Sequence, residues 1–464
     1  MSNMKKSFVL AAVATTVASL SVARPVPRPA LAERLKAQDC EVYGIVHWGL
    51  NTYTDREWGF GDEDPALLNP ANFDADQIVG ACKDGGLQGL LIVAKHHDGF
   101  CLWPTKTTEH NISKSPFRGG KGDYVREMEQ ACRKHGLKVG IYVSPWDRNN
   151  EKYASPEYVD LYHAQIKELL GGDYGEIFEM WFDGANGGDG YYGGARERRK
   201  IPDGYYRFDK LLPELRALQP KVCFFNESDG ADFRWPGNER GMLDPNSRAT
   251  IRSYEANKDI YKTYCNKGDK DGTTFHPPEA DFPLRPGWFY HVKECGKTKS
   301  AAYLMQRYLD TVGNGGAMNI GIAPNKDGRL DDEDVKALKG FKTLKDAFFA
   351  RHMDGKGYSN VVVVRENVTG GEFADGWTVK AKGEVVASGE VLGIKRIRVL
   401  DEARPRKDLS FEPVLPKGRR PKGWAAYADF YYADPELIKL VQSATTESGE
   451  TDTAKWMTAG QEGK

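Results

Sequence analysis

Short, continuous apolar runs alternate with longer amphipathic segments along the first 330 residues of the chain. The runs that predict strands are, in chain order, "VYGIVHWG" near 42, "GLLIVAKHH" near 89, "KVGIYVSPW" near 138, "EIFEMWFDG" near 177 and "KVCFFNE" near 221. Several of the intervening helical segments end in Gly or Pro, as helices commonly do. Continuous apolar strands that alternate with helices indicate a parallel sheet covered by helices.

Two further runs, "GWFYHV" near 287 and "GAMNIGIAPN" near 316, are predicted as strands, with "TKSAAYLMQRYLDTVG" as a helix between them. Together they give seven of the eight strands that a (β/α)8 TIM barrel requires. A doubly wound sheet would show the same alternation. However, no glycine-rich phosphate turn follows the first strand, and polar residues stand at the ends of many strands rather than at one switch point. The predicted fold class is therefore α/β, with a barrel-type catalytic domain over residues 24–350.

The pattern changes after about residue 350, where "NVVVVREN", "GWTVKAKGEVVASGEVLG" and "IKRIRVLD" predict short strands with turns between them. Residues 351–440 are therefore expected to form a small C-terminal β-sandwich-like domain, and residues 441–464 a polar tail.

The N-terminus has the features of an export signal. Lys5 and Lys6 precede an apolar run, and small residues at Ser21 to Ala23 provide a cleavage site, which predicts a signal peptide over residues 1–23. The run is too short to cross a bilayer stably. The protein is expected to be exported to the periplasm or the extracellular space.

Composition narrows the range of partners. The formal net charge is -1 with 28% charged residues, which does not favour nucleic acid or an acidic membrane as a partner. Seven scattered cysteines without CxxC pairs indicate neither a disulfide framework nor a zinc site. Aromatic residues make up 11% of the chain, which suits a core but also a sugar-binding cleft.

Histidines, tryptophans and carboxylates stand at the predicted carboxyl ends of the strands, where a barrel builds its active site. They are His47, Trp48, His96, His97, Asp98, Trp146, Asp147, Asp183, Asn226 and Glu227. Neighbouring residues on an extended strand point to opposite faces, so His96 and His97 are not expected to chelate one ion together. No metal site and no cofactor are predicted.

Carboxylate chemistry, with imidazole and aromatic groups holding the substrate, fits these residues best. Glycoside hydrolysis requires two carboxyl groups, one ionised and one with a raised pKa. Asp183 is the natural first carboxylate. The alternative is that Asp183 only caps a turn or a helix.

The chain resembles the α-L-fucosidases of glycoside hydrolase family 29 over residues 43–330. The motifs that carry the resemblance are "HWG" from 47, "AKHHDGF" from 94 with "LWPT" after it, "IYVSPWD" from 141, "MWFDGA" from 180, "RPGWFYH" from 285 and "GNGGAMNIGIAPNKDGRL" from 313. All six occur in the order found in that family. The resemblance implies a retaining, exo-acting hydrolase of fucosylated oligosaccharides or glycoconjugates, with no cofactor.

The resemblance also implies roles for individual residues. It makes Asp183, in "WFDG", the nucleophile. It assigns contacts with the hydroxyl groups and ring of fucose to a set of histidine and aromatic side chains. These are His47, Trp58, His96, His97, Tyr142 and Trp288.

The acid/base is less fixed, because its position varies within the family. Glu239 in "FRWPGNE" matches the "RW-x-GNE" pattern of one branch of the family and is preferred over Glu227 and Glu279. That branch favours fucose in α-1,3 or α-1,4 linkage, so the resemblance implies the same preference here. Two alternatives stay open: a fucose-binding, lectin-like protein without turnover, and a retaining galactosidase-like enzyme on the same barrel.

Overall fold

The computed structural model describes residues 40–226, 228, 230–252, 265–272, 274–417 and 422–444. The predicted signal peptide, most of the predicted tail and Glu227 lie outside these ranges. The helices are α1 Leu50–Thr54, α2 Ala75–Asp84, α3 Tyr124–Lys134, α4 Pro156–Leu170, α5 Phe208–Leu218, α6 Ala301–Thr311, α7 Asp332–Phe348 and α8 Pro435–Gln442. The strands of the first part of the chain are β1 Val42–Val46, β2 Gly89–Lys95, β3 Lys138–Val143, β4 Glu179–Trp181, β5 Gly188–Gly190, β6 Glu197–Arg199, β7 Cys223–Phe225, β8 Thr250–Ile251, β9 Thr274–Phe275, β10 Glu279–Pro283 and β11 Ala317–Ile322.

Seven of these strands form one parallel sheet in the order β10–β11–β1–β2–β3–β4–β7. Its central strands are buried along their length, because both faces are covered: helices pack outside, and side chains fill the interior. The five apolar runs predicted as strands between residues 42 and 227 and the run near 316 all form strands of this sheet. The sheet is barrel-like, as the sequence predicts.

The gap between the two edge strands, β7 and β10, is bridged by residues 233–234. Phe233 pairs with Phe225 of β7, and Arg234 pairs with Pro278 just before β10. The Arg234 carbonyl accepts from the backbone N–H of Glu279 at 3.0 Å. Two residues thus take the place of an eighth strand, which is too short to leave a recognisable apolar run in the sequence.

The prediction of a strand at "GWFYHV" is wrong. The strand at this position of the sheet is β10, which begins eight residues before that run. The sequence of β10, "EADFP", contains two acidic residues and a proline, so its hydrophobicity does not mark it as a strand. The "GWFYH" segment is a loop. Backbone N–H groups of Trp288 and Phe289 donate to the Glu57 carboxylate, at 2.9 and 3.3 Å, and not to a neighbouring strand.

Two fully buried carboxyl groups, those of Glu179 and Glu279, lie side by side within the barrel. Burial, followed by the charge of Glu279, raises the pKa of Glu179 well above its usual range, so one of the two groups keeps a proton. Trp181 Nε1 and Asn319 Nδ2 both donate to Glu279 Oε1 at 2.9 Å. The pair therefore holds Trp181, whose ring forms part of the upper interior of the barrel.

Among the described residues after 350, all the paired strands are antiparallel. These strands are β12 Tyr358–Glu366, β13 Gly376–Ala381, β14 Glu384–Gly389, β15 Arg396–Pro405, β16 Leu409–Val414 and β17 Ala426–Tyr431. They form two three-stranded sheets, β15–β12–β17 and β14–β13–β16, that share an apolar cluster including Val362, Trp377 and Phe430. This arrangement is sandwich-like. None of the described helices is long and apolar enough to cross a membrane.

Arginines of β15 tie this module to loops of the barrel. The buried Arg396 guanidinium donates to the carbonyl of Ser247. Arg398 donates to the carbonyls of Gly313 at 2.8 Å and Pro245 at 2.9 Å. The module is thus hydrogen-bonded to the barrel and not merely tethered by its linker.

Replacing Glu279 should separate the role of its hydrogen bonds from that of its charge. Glu279→Ala leaves the Trp181 and Asn319 donors buried without an acceptor, and each such group costs about 1–3 kcal/mol. We expect the free energy of unfolding to fall by about 2–5 kcal/mol, measured by chemical denaturation. Glu279→Gln keeps the acceptor and supplies an N–H to Glu179, so it should cost less than about 1 kcal/mol. Equal losses in both variants would contradict this.

Candidate active site

A cavity of about 410 Å³ opens at the carboxyl ends of the barrel strands. It is lined by Ile45, His47, Trp58, His96, His97, Tyr142, Trp181, Asp183, Gly184, Ala185, Phe225, Trp235, Glu239, Asp281 and Trp288. Imidazole, indole, phenol and carboxyl groups thus share one concave surface. This is the composition expected of a site that binds a polyhydroxylated ring.

Of the ten candidate residues predicted from the sequence, eight line this cavity, and among the described ones only Glu279 does not. The eight are His47, Trp58, His96, His97, Tyr142, Asp183, Glu239 and Trp288. Glu279 lies beneath the cavity, fully buried, with one oxygen occupied by the Trp181 and Asn319 donors. Glu227 lies outside the described residues. Glu279 is therefore poorly placed to transfer a proton to a substrate.

Asp183 follows β4 directly after Phe182, at the end of the fourth strand along the chain. Tyr142 Oη donates to its Oδ2 at 2.9 Å, and the backbone N–H of Ala185 donates to its Oδ1 at 2.6 Å. The second bond is of the kind that an aspartate makes when it stabilises a turn. Asp183 therefore caps the turn with one oxygen while the carboxylate still faces the cavity.

The phenol of Tyr142 remains a donor to this carboxylate. Burial, followed by the charge of Asp183, raises the pKa of Tyr142 well above its usual range. The Tyr142 ring is also stacked on that of Trp181, with 5.3 Å between the ring centroids. The orientation of Asp183 thus depends on a ring that the barrel interior fixes from below.

Glu239 lies at the mouth of the cavity, where Trp288 Nε1 donates to its Oε2 at 3.3 Å. The residue is exposed on one side, but partial burial of its carboxyl group raises the pKa of Glu239. The Trp288 hydrogen bond opposes the shift, while the charges of Asp183 and Glu57 add to it. A carboxyl group with a raised pKa, beside a second carboxylate, is suited to donating a proton.

The three histidines are buried side by side and uncharged at neutral pH. Burial lowers the pKa of His47 to about 3 and that of His97 to about 4, and it lowers the pKa of His96 well below its usual range. Ring centroids are 5.6 Å apart for His47 and His96, and 4.1 Å apart for His96 and His97. Neutral imidazoles in this arrangement can exchange hydrogen bonds with hydroxyl groups.

The expectation that His96 and His97 point to opposite faces is wrong, because both line the cavity. The β2–β3 pairing is irregular between Val93 and Lys95, and β2 ends at Lys95. The two histidines therefore lie beyond the extended strand, where side chains no longer alternate. In the part of the chain that the structure describes, no group of three or more His, Cys, Asp and Glu side chains is arranged to hold a metal ion.

The hydrogen bonds of His97 define its tautomer. Ser144 Oγ donates to the carbonyl of Trp146 at 2.8 Å, so the same oxygen must accept from His97 Nδ1 at 2.7 Å. Because the ring is neutral, its Nε2 then carries a lone pair. His97 Nε2 can thus accept a hydrogen bond from a substrate hydroxyl group.

Seven further lining residues were not predicted from the sequence: Ile45, Trp181, Gly184, Ala185, Phe225, Trp235 and Asp281. Trp235 stands in the same "RWPGNE" motif as Glu239, which is the signal that could have identified it. Asp281 lies in β10, the strand whose position was wrongly predicted.

A charged clamp holds the loop that carries Trp288. His291 is buried, with its Nδ1 at 2.6 Å from Asp55 Oδ1 and its Nε2 at 2.6 Å from Glu57 Oε1. Since carboxylates only accept hydrogen bonds, both ring nitrogens must carry protons, and the ring is an imidazolium. Burial lowers the pKa of His291, but the bonds to Asp55 and Glu57 and the charge of Glu294 outweigh it, so the net shift is upward.

Comparison with known proteins identifies one family. The α-L-fucosidase family model matches residues 32–343. Alpha-L-fucosidase 1 of Arabidopsis thaliana is 35% identical over 353 residues, which cover 75% of this chain and 67% of the plant protein. A relative from Oryza sativa subsp. japonica is also 35% identical, over 74% of this chain and 63% of its own length. A solved glycoside hydrolase 29 family member from an unknown rumen bacterium superposes with a TM-score of 0.79 at 34% identity, over 88% of this chain and 78% of that one.

The clamp predicts a pH-dependent contribution to stability. The pKa of His291 is raised above 6.5, so the clamp's contribution is complete below that pH and is lost as the pH rises through the folded-state value. The hydrogen bond from His291 lowers the pKa of Asp55 below 3.8. The stability that Asp55 adds is therefore present above pH 3.8 and is lost as the pH falls further. The difference in unfolding free energy between wild type and His291→Gln should be largest between these limits. A difference that does not vary with pH would contradict the clamp.

Proposed function

Because the chain belongs to the α-L-fucosidase family of glycoside hydrolases, we propose that it releases terminal α-L-fucose from glycans as a retaining, exo-acting enzyme. The observation that carries this proposal is that Asp183 and Glu239 face the same cavity with unlike surroundings. Asp183 accepts hydrogen bonds from Tyr142 and Ala185, whereas desolvation raises the pKa of Glu239. One carboxyl group is thus suited to attack and the other to proton transfer.

The proposed reaction is a double displacement. Asp183 attacks the anomeric carbon of a terminal fucoside while Glu239 protonates the departing glycosidic oxygen, which leaves a fucosyl-enzyme. Glu239, now ionised, takes a proton from a water molecule that attacks the same carbon and releases fucose with retained configuration. The reaction requires no cofactor.

Recognition of fucose is assigned to the neutral imidazoles and the aromatic walls. We infer that His47, His96 and His97 contact the sugar hydroxyl groups, since the three rings are adjacent and uncharged. Tyr142 and Trp288 orient the two carboxyl groups through the bonds described above. Trp58, which is half exposed at the rim and edge-on to His97 at 5.2 Å, provides an apolar wall. Such a wall favours the C-6 methyl group of fucose over a hydroxylated carbon by about 1–3 kcal/mol.

The α-1,3 or α-1,4 linkage preference and the export of the protein remain proposals supported by the sequence. The first is supported by the "FRWPGNE" motif around Glu239, and the second by the basic and apolar pattern of residues 1–23. The substrate would accordingly be a branched oligosaccharide or glycoconjugate outside the cytoplasm.

Removing the Asp183 carboxylate should abolish turnover. Wild type is expected to hydrolyse an aryl α-L-fucoside, with α-fucose as the first product seen by proton NMR, and Asp183→Ala should be slower by about a thousandfold or more. Asp189→Ala is the matched control, because that exposed carboxylate lies in the same glycine-rich segment but does not line the cavity. It should retain wild-type activity.

The outcomes distinguish the alternatives. Fucose binding without hydrolysis by wild type would indicate a lectin-like protein, and faster hydrolysis of an aryl galactoside would indicate a galactosidase. β-Fucose as the first product would exclude retention. Full activity of Asp183→Ala would exclude this residue as the nucleophile.

Azide should identify the acid/base. With an activated aryl fucoside, Glu239→Ala still forms the fucosyl-enzyme, and azide attacks it without needing a general base. We expect azide to accelerate this variant and to yield a fucosyl azide of retained configuration. Glu279→Gln, which alters a carboxyl group beneath the cavity, should show no response to azide. Rescue of Glu227→Ala in place of Glu239→Ala would move the assignment to Glu227.

A further inference from the structure

A third carboxyl group, that of Asp281, faces the cavity together with Asp183 and Glu239. Asp281 lies in β10 two residues after Glu279, and alternate residues of a strand face the same side. It is therefore one step nearer to the carboxyl end of the barrel than the buried Glu179–Glu279 pair. The side chain is buried, and the roles proposed for the other two carboxyl groups leave it unused.

The surroundings of Asp281 favour its protonated form. Its Oδ1 accepts from Trp235 Nε1 at 3.0 Å, but no lysine, arginine or histidine within the described ranges forms an ion pair with it. Burial raises the pKa of Asp281 well above its usual range, and the nearby charges of Glu239 and Glu279 add to the shift. A carboxylic acid in this position has one O–H to donate, and the Trp235 bond leaves the second oxygen to carry it.

Trp235 is held in place by its neighbour in the chain. The buried Arg234 guanidinium donates to the carbonyls of Cys265 at 2.8 Å and Arg248 at 2.7 Å, and its backbone pairs with Pro278. The Trp235 indole is therefore fixed at one end by its backbone and at the other by Asp281. Its ring forms part of the cavity wall.

The side chains of the cavity divide into two arcs around the barrel. His47, the histidine pair after β2, Tyr142 and Asp183 follow or belong to the four consecutive strands β1 to β4. The remaining arc, from β7 to the loop after β10, carries Phe225, Trp235, Glu239, Asp281 and Trp288. In a double displacement the acid/base acts on the departing oxygen. The arc that carries Glu239 therefore faces the leaving group.

We propose that Asp281 and Trp235 form the subsite for the leaving-group sugar of the fucosylated glycan, with Asp281 donating a hydrogen bond to an oxygen of that sugar and Trp235 contacting the face of its ring. This inference rests on the proposed fucosidase function. It assigns the second sugar, rather than fucose, as the ligand of these two side chains. An aryl leaving group lacks the sugar oxygens to which Asp281 would donate.

Comparing two substrates tests the subsite. One is an aryl α-L-fucoside, and the other is a disaccharide with fucose α-1,3-linked or α-1,4-linked to N-acetylglucosamine. Asp281→Ala should lower kcat/KM for the disaccharide by about tenfold or more, while kcat/KM for the aryl fucoside changes by less than about threefold. Trp235→Ala should show the same selectivity for the disaccharide.

Asp281→Asn is the control for the protonation state. Asparagine keeps an oxygen to accept from Trp235 and an N–H to donate, so it should retain disaccharide activity to within about threefold, with an unchanged pH profile. A loss as large as that of Asp281→Ala, or a shifted acidic limb, would show that Asp281 acts as an anion. Equal losses for both substrates, with or without a lower melting temperature, would overturn its assignment to the leaving-group sugar.

A binding measurement separates failure of this inference from failure of the proposed function. In an Asp183→Ala background, calorimetry with free fucose and with the disaccharide reports affinity without turnover. Adding Asp281→Ala should weaken disaccharide binding by about tenfold and leave fucose binding unchanged. Lack of turnover by wild type would overturn the fucosidase proposal, whereas equal weakening for both ligands would overturn the subsite.

Discussion

Little water reaches the interior of the barrel, so each carboxyl group there must either receive hydrogen bonds or keep a proton. Of Glu179 and Glu279, the deepest two, one keeps a proton, and Glu279 accepts the hydrogen bond that holds Trp181. Asp281, one layer higher, has a single indole donor and an upward-shifted pKa. Asp183, at the end of β4, receives a phenol and a backbone N–H. The carboxyl groups of the barrel therefore differ in the donors that reach them: two for Glu279, one for Asp281 and two for Asp183.

The same constraint explains why aromatic side chains are so frequent around the cavity. Tyr142 and Trp181 stack on each other while the first donates to Asp183 and the second to Glu279. Trp288 also combines an aromatic ring with a directed donor at the mouth of the cavity. Its indole donates to Glu239, and its backbone N–H donates to Glu57. Each ring supplies one directed donor and a rigid apolar body. A serine or lysine could supply the donor, but it would not exclude water from the carboxyl group beside it.

The sequence locates a candidate site residue where that residue directly follows an apolar run long enough to mark the strand. The runs before His47, His96 and Asp183 are continuous and apolar, so they identified the strands and the side chains at their ends together. The sequence does not mark β10 as a strand, because Glu279 and Asp281 occupy two of its four buried positions. Their burial depends on donors from distant parts of the chain, Trp181, Asn319 and Trp235, which no local pattern reveals.

The C-terminal module supports the arc of the cavity wall that carries Glu239. Arg396 bonds to the carbonyl of Ser247, and Ser247 in turn accepts through its hydroxyl oxygen from Arg234 at 3.4 Å. Arg234 is the residue that closes the barrel and immediately precedes Trp235. A two-residue strand has too few ladder hydrogen bonds to hold its position alone, so the adjoining loops must be fixed from outside. The module does this through arginine side chains, which can bond several carbonyls at once. It therefore supports the cavity wall without lining the cavity.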